Sequence, residues 1–135
     1  METALVPAKV ITNHSIPAYL SAGRQWQGIP SLEKTAGGRI FVCWYSGGAT
    51  EEPGNVIIRE KSDDGGESFT DGLVLVRHDD PAVRCFDPAL WIDPEGRFWL
   101  SGPNRKILST GERVSGRPAA TIRTAGSFSL QNPAG

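Results

Sequence analysis

Ser62-Asp63-Asp64-Gly65-Gly66-Glu67-Ser68-Phe69 is the stretch that decides the fold of this chain. It lies between an alternating run, residues 55–61, and a second run rich in β-branched and aliphatic residues, 73–76. Asp-x-Gly between two such runs is a turn signal, because the carboxylate accepts bonds from backbone N–H groups and Gly takes a positive φ without a steric penalty. The octapeptide therefore predicts a hairpin corner that satisfies its own polar groups, with Phe69 as a hydrophobic anchor just past it.

Part of the pattern around this corner returns 58 residues later. The two copies share a Pro, a Leu, a Gly-Arg pair and three apolar residues at the same spacing. They are Pro30-Ser31-Leu32 with Gly38-Arg39-Ile40-Phe41-Val42, and Pro88-Ala89-Leu90 with Gly96-Arg97-Phe98-Trp99-Leu100. A period of this size, with one antiparallel meander per period, is typical of β-propeller blades.

Turn signals divide the first hundred residues into short strands. We predict strands at 31–35, 39–45, 55–61 and 73–76, joined by short connections into one antiparallel meander. The nearly continuous apolar run 39–45 is typical of a strand that is buried on both faces. Sixteen glycines, ten prolines and four tryptophans agree with a turn-rich, all-β protein.

The corner also resembles a known family motif. Ser62, Asp64, Gly66, Ser68 and Phe69 match the Asp-box, Ser-x-Asp-x-Gly-x-Thr/Ser-Trp/Phe, which is repeated in sialidases (neuraminidases) and related BNR-repeat β-propellers. The box alone also occurs in unrelated β-proteins, but here the resemblance covers residues 24–100. It implies a six-bladed propeller of four-stranded antiparallel meanders, of which this chain carries one and a half blades, and it implies a structural role for Asp64.

The order of the pattern stops after Leu100. Residues 101–135 contain six Val, Ile, Leu or Phe residues at no strand or helix period, and they carry a net charge of +4 against −5 for residues 1–100. We therefore predict an incomplete propeller domain over residues 1–100 and a disordered or irregular tail over residues 101–135. A truncation or a change of reading frame near residue 101 would explain the shift.

Charge and cysteine content limit the partners and cofactors. The net charge of −1 gives no electrostatic case for nucleic acid. No apolar stretch is long enough to span a membrane and no secretory signal is visible, so we expect a cytoplasmic chain whose full-length relatives could be secreted. Cys43 and Cys85 lie in apolar surroundings without a nearby ligand residue, which favours buried thiols over a disulfide or a zinc site. We predict no metal and no cofactor.

The resemblance points to candidate substrate-binding residues at the start of the first blade. Sialidases have Phe-Arg-Ile-Pro where this chain has Gln27-Gly28-Ile29-Pro30, and that Arg clamps the sialic-acid carboxylate. Gly28 replaces it, which is a departure from the family pattern. Arg24, four positions earlier, is a candidate for the same space, and Gln27 lies beside it. Trp26 is a candidate stacking platform for a sugar ring, with core packing as the alternative.

A second set of candidates follows from the loop where sialidases place their acid/base Asp. Glu51 and Glu52 occupy this loop, and a carboxylic acid there would suit glycosidic cleavage; a solvated loop is the alternative interpretation. Tyr45 ends the strand beside the loop. Arg84 and Asp87 open the second copy of the repeat and are either pocket residues or an Asp-Pro turn with a surface Arg.

The resemblance therefore implies the N-terminal part of a sialidase-like glycan-processing enzyme, of the exo-α-sialidase or glycoside hydrolase type. Sialidases also use a nucleophilic Tyr, its Glu and two further Arg from later blades, so we expect this short chain alone to be inactive. The alternative is a non-catalytic propeller module that binds glycans or proteins. The expected partner is a glycan; the sugar and the oligomeric state are not predicted.

Overall fold

The computed structural model of the chain describes residues 6–114 and 117–133, and the side chains of residues 6–105. Within this part the fold is all-β, as predicted, apart from one turn of 3-10 helix, Pro17–Tyr19. The strands are β1 Lys9–Thr12, β2 Gln27–Lys34, β3 Ile40–Ser46, β4 Val56–Ser62, β5 Val74–Arg77, β6 Val83–Cys85, β7 Ala89–Ile92, β8 Arg97–Val114 and β9 Arg117–Pro133. Residues 1–5 and 134–135 of the two predicted domains lie outside the described residues, as do residues 115 and 116.

The first sheet is antiparallel and has the strand order β1-β5-β4-β3-β2. Strands β2 to β5 follow one another in an up-and-down meander, as the sequence predicts, and β1 pairs with β5 at the far edge. The register places Cys43 opposite Ser31 on one side and opposite Arg59 on the other. Strand β2 begins earlier than predicted, because its ladder continues across a bulge between Gly28 and Ser31.

The corner between β4 and β5 has the hydrogen bonds that its sequence predicts. The Asp64 carboxylate accepts the Ser68 N–H at 2.9 Å and the hydroxyl protons of Ser68 and Ser62, while Ser62 Oγ accepts the Gly66 N–H at 2.9 Å. The Ser68 hydroxyl makes the largest contribution to lowering the pKa of Asp64 to about 2. Phe69 differs from the expectation: it is 44% exposed and anchors no core.

The second sheet repeats the first in register. Strand β8 pairs with β6 and β7 along one edge and with β9 along the other. The equivalent pairs, 58 residues apart, are Gln27–Ser46 and Cys85–Asn104, Ser31–Cys43 and Ala89–Ser101, and Leu32–Val42 and Leu90–Leu100. Both copies also hold the residue before the repeated proline at positive φ, Ile29 at 49° and Asp87 at 43°. The sequence repeat is therefore a repeat of backbone structure.

The hairpin turns of the two copies match in the same way. Each begins with a side chain that accepts the N–H four residues later, Thr35 from Arg39 at 3.1 Å and Asp93 from Arg97 at 2.9 Å. In each turn a Gly at positive φ precedes the arginine, because this position lies in the left-handed region that L-residues avoid. The sequence element Gly-Arg thus marks the same turn twice.

The two sheets pack through unlike faces. In β3 and β8, odd-numbered side chains point to one side of the sheet, here named the odd face, and even-numbered side chains to the other, the even face. The odd face of the first sheet contacts the even face of the second, where Phe41 stacks on Phe98 with ring centroids 4.3 Å apart. The shared core contains Phe41, Cys43, Tyr45, Ile57, Val74, Val76, Cys85, Phe86, Leu90, Phe98 and Leu100. Because the 58-residue offset is even, equivalent residues keep their parity, so the contact is head to tail rather than twofold symmetric.

The even face of the first sheet is covered over one part. The N-terminal residues Ile11, Ile16 and Tyr19 pack with Trp44 against Val56, Ile58 and Leu75. Toward β2 the even face is more open, so β3 is fully buried on its odd face and half-buried on its even face. The prediction of a strand buried on both faces is correct for the odd face only.

The tail predicted to be irregular over residues 101–135 is corrected by the described backbone. Strand β8 continues from Arg97 to Val114 and pairs with β9, Arg117–Pro133. A ladder of this kind joins N–H to C=O groups whatever side chains follow, so the lack of an apolar period did not predict it. Strand β8 also crosses residue 100, where the sequence places a domain boundary.

Candidate functional site

The candidate site lies where the end of β3 meets the start of the second sheet. Tyr45 is fully buried at this point. Its ring contacts Trp26 at a centroid distance of 4.9 Å and Phe86 at 6.4 Å, both edge-on. Three aromatic rings from β3 and the segments beside β2 and β6 thus form the floor of the site, and charged side chains surround them.

Tyr45 holds the first of these charged groups. Its hydroxyl donates a hydrogen bond to Glu51 Oε1, and the Glu51 side chain is 53% exposed. Burial, followed by the bond to Glu51, raises the pKa of Tyr45 to about 12. The phenol therefore stays protonated at neutral pH and acts as a fixed donor that orients the carboxylate.

Arg84 provides the positive charge of the site. Its guanidinium lies 4.0 Å from Glu51 Oε1, 5.3 Å from the centre of the Tyr45 ring and 4.3 Å from that of Phe86. The side chain is 11% exposed, and its buried Nε has no hydrogen-bond partner within the described part of the chain. A planar guanidinium held on two rings keeps donors free for an acidic or hydroxyl-bearing ligand.

A second guanidinium, from Arg105, reaches the same place. Arg105 lies directly opposite Arg84 in the β6–β8 ladder, and its guanidinium stands 5.4 Å from the centre of the Phe86 ring. The sequence did not point to Arg105, since it lies in the segment predicted to be irregular. The signal that could have found it is the repeat itself, because the register carries β8 past residue 100.

Asp87 completes the cluster on its outer side. It is exposed and close enough to Tyr45 to contribute to the raised pKa of the phenol. Its positive φ belongs to the repeated bulge before the proline, which turns this residue away from the β6 ladder. The structure therefore brings together five sequence-predicted site residues, which are Trp26, Tyr45, Glu51, Arg84 and Asp87.

No family model and no curated protein matches the chain.

Glu52, the second carboxylate proposed for catalysis, has a different role. Its carboxylate accepts the Ala49 N–H at 3.0 Å, and its own N–H donates to Asn55 Oδ1 at 2.8 Å. Asn55 is buried and donates to the carbonyls of Gly47 and Thr50. Glu52 is thus bonded into the fold of its own loop, and this loop positions Glu51 toward Tyr45.

Arg24 and Gln27 lie apart from the cluster. Arg24 donates to Gln27 Oε1 at 3.1 Å and to the carbonyl of Tyr19 at 3.0 Å, and it stands 5.1 Å from the centre of the Trp44 ring. Both residues line a separate groove of about 450 Å³ on the even face of the first sheet. The structure therefore does not bring these two predicted substrate-binding residues to Glu51.

The glycine that replaces the family arginine has a local explanation. A Cβ at Gly28 would lie 2.8 Å from the Trp26 ring, closer than carbon atoms approach one another. Trp26 therefore occupies the space next to position 28. An arginine there requires the Trp26 ring to leave its contact with Tyr45.

The remaining findings concern thiols and the membrane. Cys43 and Cys85 are free and fully buried, as predicted, and burial raises the pKa of each to about 12. Thiols in such surroundings are chemically inert. Among the described residues no helix has the length and apolar character needed to cross a membrane.

Proposed function

We propose that the cluster around Tyr45 is a glycan-binding site and that the protein belongs with the sialidase-like propellers as a glycan-processing protein. The observation that carries the proposal is the placement of Glu51 between the Tyr45 hydroxyl and Arg84, beside the Trp26 ring. Sugars combine apolar ring faces with hydroxyl groups, so their sites combine aromatic rings with carboxylates and guanidinium groups.

The fold supports the same assignment. A propeller is built from meanders that pack head to tail, each blade covering the next. The 58-residue repeat in register and the contact between unlike faces of the two sheets are what that architecture requires. The Asp-box corner, with its bonds from Ser62 and Ser68 to Asp64, agrees with the motif of the sialidase family.

Each residue of the cluster has a separate role in this proposal. Glu51 accepts sugar hydroxyl protons through the lone pairs that Tyr45 leaves open, and in a hydrolase it exchanges a proton with the glycosidic oxygen or with water. Arg84 donates to a hydroxyl or carboxylate oxygen of the sugar. Trp26 packs against the apolar face of the ring.

A non-catalytic glycan-binding module is the second candidate. The observation that favours it is that both neighbours of Glu51 Oε1, the Tyr45 hydroxyl and the Arg84 guanidinium, are hydrogen-bond donors. Such neighbours hold the carboxyl as an acceptor rather than as the proton donor that glycosidic cleavage needs first.

A panel of fluorogenic methylumbelliferyl glycosides, including the α-sialoside, tests both candidates on the full chain. Release of the fluorophore that disappears in Glu51→Gln supports the hydrolase. Binding without release, weakened about tenfold in Glu51→Gln, supports the binding module. Glu52→Gln is the matched control and leaves either signal unchanged, since Glu52 is bonded within its own loop. If the wild-type chain neither binds nor cleaves any member, the proposal is wrong.

A further inference from the structure

The repeat leaves two apolar surfaces that correspond to a contact the molecule already makes once. Inside the chain, the even face of the second sheet covers the odd face of the first. The even face of the first sheet and the odd face of the second are the equivalent surfaces, 58 residues earlier and later. Both stay partly open within the part of the chain that the structure describes.

The even face of the first sheet carries the residues that would make this contact. Leu90 is buried against the first sheet with 8% of its surface exposed, whereas its equivalent, Leu32, is 63% exposed. Ile40 and Val42 are the equivalents of the buried Phe98 and Leu100, and both are only half-buried. We name Leu32, Ile40 and Val42 the donor face.

The odd face of the second sheet carries the complementary surface. Trp99 stands where Phe41 receives Phe98 in the first sheet, and it is half-buried. Trp91, its cross-strand partner, is 56% exposed. We name Trp91 and Trp99 the acceptor face. A cross-strand pair of exposed tryptophans is a large apolar area, of the kind that marks an interaction site.

We propose that the donor face of one copy of this chain binds the acceptor face of a second copy, so that the protein self-associates head to tail. The occupant is a second copy because the internal contact already joins surfaces of these two kinds in this orientation. Leucine, isoleucine and valine meet aromatic rings in both cases. The contact is heterologous, and repetition therefore yields a closed ring or an open chain rather than a twofold dimer.

The arrangement differs from the internal contact in ways that set its strength. Inside the chain, Ser31 Oγ accepts the Leu90 N–H at 3.1 Å, and the Arg59 guanidinium stands 5.4 Å from the Phe41 ring and 5.1 Å from the Phe98 ring. Ala89 replaces Ser31 in the equivalent position and has no hydroxyl to accept a bond. We therefore expect the contact between copies to be weaker than the one within the chain.

Two surface substitutions test the proposal. Leu32→Lys removes the donor face and Trp91→Lys removes the acceptor face; both side chains are more than half exposed, so neither change disturbs the core. Sedimentation equilibrium over a concentration series is expected to show association of the wild type and at least about tenfold weaker association of each variant. Val6→Lys, at an exposed apolar residue before β1, is the control and associates like the wild type.

Mixing the two variants decides the geometry. Each variant keeps one intact face, so a head-to-tail contact predicts that an equimolar mixture forms a heterodimer and stops there, although neither variant associates alone. A twofold contact between donor faces would instead leave Trp91→Lys able to dimerise by itself. That result, a monomeric wild type over the whole concentration series, or a mixture that stays monomeric overturns the proposal. Far-ultraviolet circular dichroism checks that both variants keep the β-sheet spectrum of the wild type.

Discussion

At the scale of single residues, Tyr45 determines what the candidate site can do. A buried phenol must find a hydrogen-bond acceptor, and the acceptor here is a half-exposed carboxylate rather than a backbone carbonyl. The bond fixes Glu51 over the aromatic floor while leaving its second oxygen at the surface. One hydroxyl thus converts a loop glutamate into an oriented group.

Removing this hydroxyl is therefore expected to affect both stability and binding. Tyr45→Phe keeps the ring contacts with Trp26 and Phe86 but loses the bond to Glu51, at a cost of about 1 kcal/mol in the free energy of unfolding. Affinity for a sugar that binds the wild type falls about tenfold, because Glu51 is no longer held. Urea denaturation and calorimetric titration measure the two effects. Tyr19→Phe is the control, and an equal loss of affinity there would contradict the role of Tyr45.

The alkaline titration of Tyr45 gives a second prediction. Its pKa is raised from 10.0 to about 12, so the contribution of this phenol to stability is complete below pH 10 and is lost as pH rises toward 12. The chain has two tyrosines. Absorbance of the phenolate is expected to include a step near pH 12 that Tyr45→Phe removes. A titration of Tyr45→Phe that still contains this step would show that the assignment is wrong.

At the scale of elements, the connection between β4 and β5 is held by a buried carboxylate that the sequence does not reveal. Glu60 is 1% exposed and accepts the Thr70 hydroxyl at 2.6 Å and the N–H groups of Gly72 and Leu73 at 2.9 and 3.1 Å. The Asp-box corner could be predicted because all its partners lie within seven residues. Glu60 could not, since its partners lie ten or more residues away and its own strand alternates like a half-exposed one.

Substitution of Glu60 is expected to separate its charge from its hydrogen bonds. Burial raises the pKa of Glu60 above its ordinary 4.5, so its contribution to stability is complete below pH 4.5 and falls as pH rises through the folded-state pKa. Glu60→Gln keeps an acceptor and a polar partner for Thr70, and it becomes more stable relative to the wild type as pH increases. Glu60→Ala leaves two N–H groups without an acceptor and loses about 2 to 4 kcal/mol.

The measurement is the free energy of unfolding from urea denaturation between pH 4 and pH 8. Glu67→Gln, in the exposed part of the same corner, is the control for the loss of one negative charge. If Glu60→Gln and the wild type keep a constant difference over this range, the carboxylate does not carry the pH dependence.

At the scale of the whole molecule, the repeat was predictable and its packing was not. Matching residues 58 apart gave the second copy of the strand, the turn and the bulge, because these features depend on local backbone chemistry. They gave no information on which face meets which, since Phe41 and Phe98 are both apolar and lie on opposite faces of equivalent strands. Arg105 entered the site for the same reason, through a register that extends beyond the recognisable repeat.

The shared core predicts that the two sheets unfold together. Phe98 is 1% exposed and stacks on Phe41, so Phe98→Ala is expected to cost about 3 to 5 kcal/mol and Phe98→Leu less, because a smaller cavity remains. The loss should appear equally in the fluorescence of Trp26 and Trp44 in the first sheet and of Trp91 and Trp99 in the second, each pair observed after the other is replaced by Phe. Phe69→Ala, at a side chain that is 44% exposed, is the control and costs less than about 1 kcal/mol. If Phe98→Leu lowers the transition only in the second sheet, the sheets are independent units and the head-to-tail contact does not stabilise the fold.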